Sequence, residues 1–174
     1  SSAIAADAPK SVEFPPLDSA RRISGELVSA DFIHRTGQFR SAKGELMDFT
    51  MPPYASVKYL NAEADLRDAP LGTVFQFFLT KDSQDGFTWL AAMHDQFTMD
   101  ASKDVSYRHD EVKLGEGKLI TTKHSISNQP AASSKTALAV TEGTRVWKGD
   151  KQVKLSDLAA GDELVRRVGG RTVL

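Results

Sequence analysis

Two stretches of this chain lie over one another without a gap at a constant offset of 89 residues. A repeat of that kind constrains the fold more than any local propensity does. Residues 49–75 superimpose on residues 138–164, with identities at Val57 and Val146, Leu66 and Leu155, Asp68 and Asp157, and Gly72 and Gly161. The apolar pairs Phe49/Leu138, Met51/Val140 and Phe75/Leu164 hold the same register. A length of 174 residues admits one domain of ordinary size or two small ones, and the repeat selects two.

Each copy has a physical reading. Leu66 or Leu155 begins a short helical turn, and Asp68 or Asp157 accepts hydrogen bonds from nearby backbone amides. Gly72 or Gly161 then supplies the permissive backbone that leads into the next strand. After Gly72, residues 74–79 return through a Gly-bearing loop at 81–86 to residues 87–93, a predicted hairpin; residues 164–168 do the same through Gly169-Gly170 to 171–174. The front of the repeat is read by setting residues 25–32 against 117–124, both of which alternate in the β manner, with polar loops expected at 34–44 and 125–135. No long amphipathic helix with period 3.6 and end caps is present. Residues 94–116 are read as a long connector between the copies.

Composition narrows the class. No apolar run approaches the roughly 20 residues of a membrane-spanning helix. Zero cysteines exclude a disulfide scaffold, a catalytic thiol and every Cys-based metal site. A net charge of −1 gives none of the bulk basic character of nonspecific nucleic-acid binders. That small number conceals a polarity. Residues 1–104 hold ten Lys plus Arg against fifteen Asp plus Glu, a net of −5, whereas residues 105–174 hold twelve against eight, a net of +4. Oppositely charged halves dock within one chain or meet head to tail between chains, and the second arrangement generates rings or filaments. The opening is rich in small residues and proline. Its Ala3-Ile4-Ala5 fits the pattern before a signal-peptidase cut, and reads either as the remnant of an export signal or as a flexible tail. Phe14-Pro15-Pro16-Leu17 is expected to form an extended arm, since proline forbids helix there.

Residues 146–164, VWKGDKQVKLSDLAAGDEL, resemble the second half of small OB-like β-barrels found in exported bacterial proteins, where such a stretch supplies a strand, a short turn helix and the next strand. The resemblance implies an architecture and leaves activity open. It is distant from one subgroup, the periplasmic copper(I)-binding barrels of the CusF type, which carry a Trp followed by a Met-x-Met pair and a nearby His. Here Met47 and Met51 stand four apart with His34 upstream and no preceding Trp, and a strand would put both on one face as core filler. Met93, His94 and Met99 form a second loose cluster open to the same objection.

Other chemistry finds simpler explanations. His34, His94, His109 and His124 lack metal-site spacing and read as surface or loop residues. Asp65/Asp68 and Asp82/Asp85 sit in turns, where bonding to the backbone accounts for them. No nucleophile elbow, P-loop or dinucleotide fingerprint occurs. Arg145, Trp147, Lys148, Lys151 and Lys154 suggest a stacking, basic face for an oligonucleotide, against which stands a solvated Lys-rich strand that discourages aggregation. The reading is therefore an all-β chain: an arm at 1–20, a first OB-like barrel at 21–100 and a second, with its connector, at 101–174. It is expected to be a noncatalytic, extracytoplasmic assembly or structural subunit, polymerising head to tail in one version. The alternative is a ligand-binding module for an oligomer or copper. No catalytic residue, metal ligand or cofactor is assigned, the ligand-binding residues are unassigned, and the expected partners are further copies or another extracellular protein, with neither nucleic acid nor membrane insertion.

Overall fold

The structure, a computed structural model, describes residues 17–127 and 133–166. It is all-β, with one short α-helix and single 3-10 turns among the described residues. The strands are β1 (Arg21–Asp31), β2 (Thr36–Ser41), β3 (Leu46–Thr50), β4 (Ser56–Tyr59), β5 (Ala62–Ala64), β6 (Val74–Lys81) and β7 (Phe87–Asp95). Helix α1 (Gln96–Ser102) follows, and then β8 (Val105–Lys113), β9 (Lys118–Ser125), β10 (Ser134–Ala139), β11 (Val146–Lys148), β12 (Lys151–Val153) and β13 (Glu163–Leu164).

The first seven strands form one sheet in the order β3-β2-β1-β6-β7-β4-β5, and a parallel pairing of Thr50 with Trp89 joins β3 to β7. Five strands, β1, β2, β3, β6 and β7, thereby close into a barrel, and the β4–β5 hairpin extends from the β7 edge. Closure follows from alternation. Along β6 the inward residues Phe75, Phe77 and Leu79 are fully buried, as are Leu27 of β1 and Phe39 of β2. Phe39 stacks on Phe77 with ring centroids 4.0 Å apart, and Phe49 and Phe75 pack around the pair. Burying each such side chain stabilises the fold by about 1.5–3 kcal/mol. Gly25 permits the tight approach of β1 to β2: a Cβ there would lie 2.7 Å from the Arg40 carbonyl oxygen and within the Phe39 ring's volume.

The second part of the chain repeats these pairings. Its four-stranded sheet runs β10-β9-β8-β13, the counterpart of β3-β2-β1-β6, and β11–β12 is a separate hairpin like β4–β5. Registers agree residue for residue. Leu27 faces Phe39 as His109 faces Thr121, Gly37 faces Phe49 as Leu119 faces Leu138, and Gly25 faces Phe75 as Tyr107 faces Leu164. Both β1 and β8 carry a bulge one residue later, after Leu27 and after His109. The 3-10 turns Leu66–Asp68 and Leu155–Asp157 correspond, with Asp68 Oδ2 accepting from Asp65 N at 2.9 Å and Asp157 Oδ2 from Lys154 N at 2.8 Å. Gly72 and Gly161 follow with φ of 79° and 96°, a region that favours glycine.

These pairings correct the front of the sequence alignment. Residues 118–124 belong to β9, with Gly117 closing the preceding 3-10 turn; the counterpart of β9 is β2, and the counterpart of β1 is β8. Residues 94–116 are not a connector; they comprise the end of β7, helix α1, all of β8 and a 3-10 turn. Nor is 34–44 all loop, because Thr36–Ser41 is β2. Of the arm expected at 14–17, only Leu17 is described, and it begins the 3-10 turn Leu17–Ser19 rather than an extended run; residues 14–16 and the expected turn at Gly169-Gly170 lie outside the described residues.

Candidate functional site

Three surfaces carry the polar and exposed apolar groups. The first is the outer face of β1, β2 and β3. Because inward residues alternate with outward ones, Ser29, Asp31, Thr36, Gln38, Asp48 and Thr50 line a groove of about 500 Å³. Gln38 Nε2 donates to Asp48 Oδ1 at 2.7 Å across it. The β1–β2 loop rises at one end and presents Phe32 and Ile33, the latter 77% exposed. Asp31 fixes that tip: its Oδ1 accepts from the backbone amides of Ile33 and His34, both at 3.0 Å, and its Oδ2 lies 2.6 Å from His34 Nδ1. The His34 amide and ring hold the Asp31 carboxyl below its ordinary range. Arg35, at φ 56°, clamps the base of the loop by donating from Nε to the Met51 carbonyl at 3.1 Å.

The second surface is the four-stranded sheet. In the barrel, β7 fills the space between β3 and β6; among the described residues no strand stands in the corresponding space between β10 and β13. The interior of this sheet is more polar than that of the barrel. His109, buried at 3% exposure, takes the position of Leu27, and Thr121 that of Phe39. Thr121 Oγ1 donates to the Thr136 carbonyl at 3.0 Å, whereas His109 Nδ1 is buried without a hydrogen-bond partner. On the opposite face Glu163 gathers Arg108 Nε at 3.1 Å, His124 Nε2 at 2.9 Å and Ser106 Oγ at 3.1 Å. Burial raises the Glu163 carboxyl, but the His124, Arg108 and Ser106 bonds outweigh it, so the group ends below its ordinary value.

The third is the junction at α1. Asp95 caps the helix by accepting from Thr98 N at 3.1 Å and from the Thr98 hydroxyl. Its Oδ1 also accepts from Leu60 N at 3.2 Å, and Thr98 Oγ1 accepts from Asn61 N at 2.9 Å. These bonds hold the β4–β5 turn, where Leu60 and Asn61 both have positive φ. From the other side Arg166 Nη2 donates to both carboxylate oxygens of Asp100, at 3.1 and 3.3 Å, and its guanidinium lies 5.0 Å from the centre of the Tyr107 ring.

The residues weighed from sequence do not converge. Met47 packs against the barrel core and Met51 is buried in it, while His34 stands at the exposed loop tip. Met93 is fully buried in the core, whereas His94 and Met99 line a separate small cavity of about 80 Å³. The Asp65/Asp68 and Asp82/Asp85 pairs do sit in turns, with Asp82 accepting from Gln84 N and Gly86 N. Trp147 is exposed on the β11–β12 hairpin, and Lys148, opposite Lys151, is paired with Asp162 at 3.1 Å. The histidines read from sequence as surface or loop residues divide: His34 is on an exposed loop, His94 on β7 and His124 on β9 are half-buried in strands, and His109 is buried within β8. Its signal was the alternation of Tyr107 and His109 within a strand otherwise read as a connector. No helix among the described residues is long and apolar enough to cross a membrane. The chain matches no family model, and no curated protein or solved structure matches it.

Proposed function

We propose that the chain is a noncatalytic assembly module of an extracytoplasmic structure, built from two tandem OB-like units. The OB-like reading is supported by the barrel's strand order and by its parallel closing pair, Thr50 with Trp89. The extracytoplasmic reading is supported by Ala3-Ile4-Ala5. The observation that carries the assembly reading is the charge polarity, −5 over residues 1–104 and +4 over residues 105–174, an orienting field that favours unlike halves of neighbouring copies. Sedimentation velocity of the full chain over a wide concentration range tests this. Species above monomer that grow at low salt and shrink at high salt are expected; a single monomer boundary at high concentration and low salt overturns the reading.

A second reading, a ligand-binding module, is favoured by the groove on β1–β2–β3. Its Ser, Thr, Gln and Asp side chains suit a hydroxyl-rich oligomer such as a glycan, and its two carboxylates oppose a polyanion. Copper loses support because Met47 and Met51 are committed to the core. Thermal shift with glycan fragments, single-stranded DNA and Cu(I) separates these ligands, and the absence of any shift disposes of this reading.

A further inference from the structure

We infer that the small cavity where the outside of the barrel meets helix α1 binds a tetrahedral oxyanion such as phosphate, free or carried on an ester. The site is independent of the assembly reading and shares no residue with the groove on β1–β2–β3. Strand register builds it. Ser24 of β1 faces Gln76 of β6, and Gln76 faces His94 of β7, so three polar side chains from adjacent strands form one row. Their neighbours along the strands, Phe75, Phe77 and Met93, are buried in the core, which leaves the row on the outer surface. Helix α1 contributes Gln96, Met99 and its C-cap residue Lys103 to the same cavity.

The lining decides the charge of the occupant. Every polar side chain in it carries a hydrogen-bond donor, Lys103 adds a full positive charge, and no Asp or Glu lines it, although residues 1–104 are net acidic. Gln96 gives its amide to Asp100 at 2.8 Å, whereas the side chains of Ser24, Gln76, His94 and Lys103 have no hydrogen-bond or ion-pair partner among the described residues. Arg22, whose guanidinium lies 5.3 Å from the Phe78 ring centre, and Lys58, opposite His94, extend the positive field along this face. Several free donors around one cation suit an anion with several acceptor oxygens. The volume of about 80 Å³ holds a few waters, each of which takes about 30 Å³ in the liquid, so it admits an oxyanion and excludes a nucleoside. Burial lowers the His94 pKa and Lys58 lowers it further, so the imidazole stays neutral until an anion favours its protonation.

The test is an NMR titration of the full chain with inorganic phosphate, near neutral pH, in a buffer without other oxyanions and at an ionic strength held constant with sodium chloride. Amide shifts at Ser24, Gln76, His94 and Lys103 are expected to saturate together. The titration midpoint of His94 is expected to rise, while the other charges around it, Lys58, Arg22 and Lys103 against protonation and Glu63 and Asp95 in favour of it, stay as they are. Lys103→Gln keeps an exposed polar side chain and should weaken binding at least about threefold with the rest of the spectrum unchanged. Gln76→Leu removes a donor of similar size and should weaken it about tenfold. Methyl phosphate as a second probe separates the sources: binding equal to that of inorganic phosphate assigns the site to a phosphate group on a larger molecule, and its failure to bind assigns the site to the free ion. Shifts that do not saturate, shifts reproduced by sodium chloride alone, or an unchanged affinity in Lys103→Gln each overturns the inference.

Discussion

His109 stands to the four-stranded sheet as Leu27 stands to the barrel. Leu27 donates from its amide to the Thr73 carbonyl at 2.9 Å and accepts from Gly72 N at 2.7 Å; His109 does the same with Asp162 and Gly161, both at 2.8 Å. The backbone environment is shared, so the side chain is the variable. His109→Leu removes the unpartnered Nδ1 and is expected to raise the stability of the chain by about 1–3 kcal/mol in urea unfolding. A clear loss of stability would show that the imidazole already has a partner.

Gly25 sets how closely β1 approaches β2. A methyl there meets the Phe39 ring and the Arg40 carbonyl, and main chain cannot yield as a flexible side chain does. Gly25→Ala is expected to cost about 1–3 kcal/mol as overpacking. Gly149, at φ 65° with open space around it, serves as the control: Gly149→Ala there pays only the backbone term, roughly 1–2 kcal/mol. Its effect should be confined to the β11–β12 hairpin, while Gly25→Ala should perturb amide shifts across β1, β2 and β6. The reverse distribution would contradict the packing described.

Arg166 and Asp100 are 66 positions apart in the chain, yet one guanidinium nitrogen serves both carboxylate oxygens. Arg166→Ala leaves a largely buried carboxylate whose remaining polar partner is the Gln96 amide at 2.8 Å, and about 1–3 kcal/mol is expected to be lost. A double-mutant cycle with Asp100→Asn should return a coupling of about 0.5–3 kcal/mol. Additive losses would mean that the contact contributes no coupling.

His94 provides the pH dependence. Burial against Phe78, whose ring centre is 5.2 Å away, lowers its pKa below the ordinary 6.5, and the neighbouring Lys58 lowers it further. The fold therefore favours neutral imidazole. Its contribution to stability is full above about pH 6.5 and is lost as pH falls from there through the depressed folded value. The NMR midpoint of His94 is expected below 6.5, and His94→Gln should flatten this part of the stability profile. A midpoint above 6.5 would reverse the argument.

The legible part of the fold was the part governed by local turn chemistry. Asp68, Gly72, Asp157 and Gly161 act on backbone within a few residues, so their spacing survives in the sequence and marks both copies at one offset. The front of each copy is different. The loop between β9 and β10 is longer than that between β2 and β3, so β1 and β8 fall out of the common offset, 27 matching 109 at a separation of 82. Only pairing with β2 and β9 reveals their correspondence. β8 was hidden further by polarity, since a strand reading VSYRHDEVK buries Tyr107 and His109 where a barrel strand usually buries aliphatics. The groove on β1–β2–β3 was equally invisible, because its six polar residues come from three strands and acquire meaning only once β2 is recognised.

Helix α1 has seven residues, yet both parts of the chain are fastened to it. Its first turn grips the β4–β5 turn through Asp95 and Thr98, and its Asp100 grips Arg166 just beyond β13. Both parts of the chain therefore share one short anchor, so that loosening α1 would release the β4–β5 turn and the Arg166 contact together.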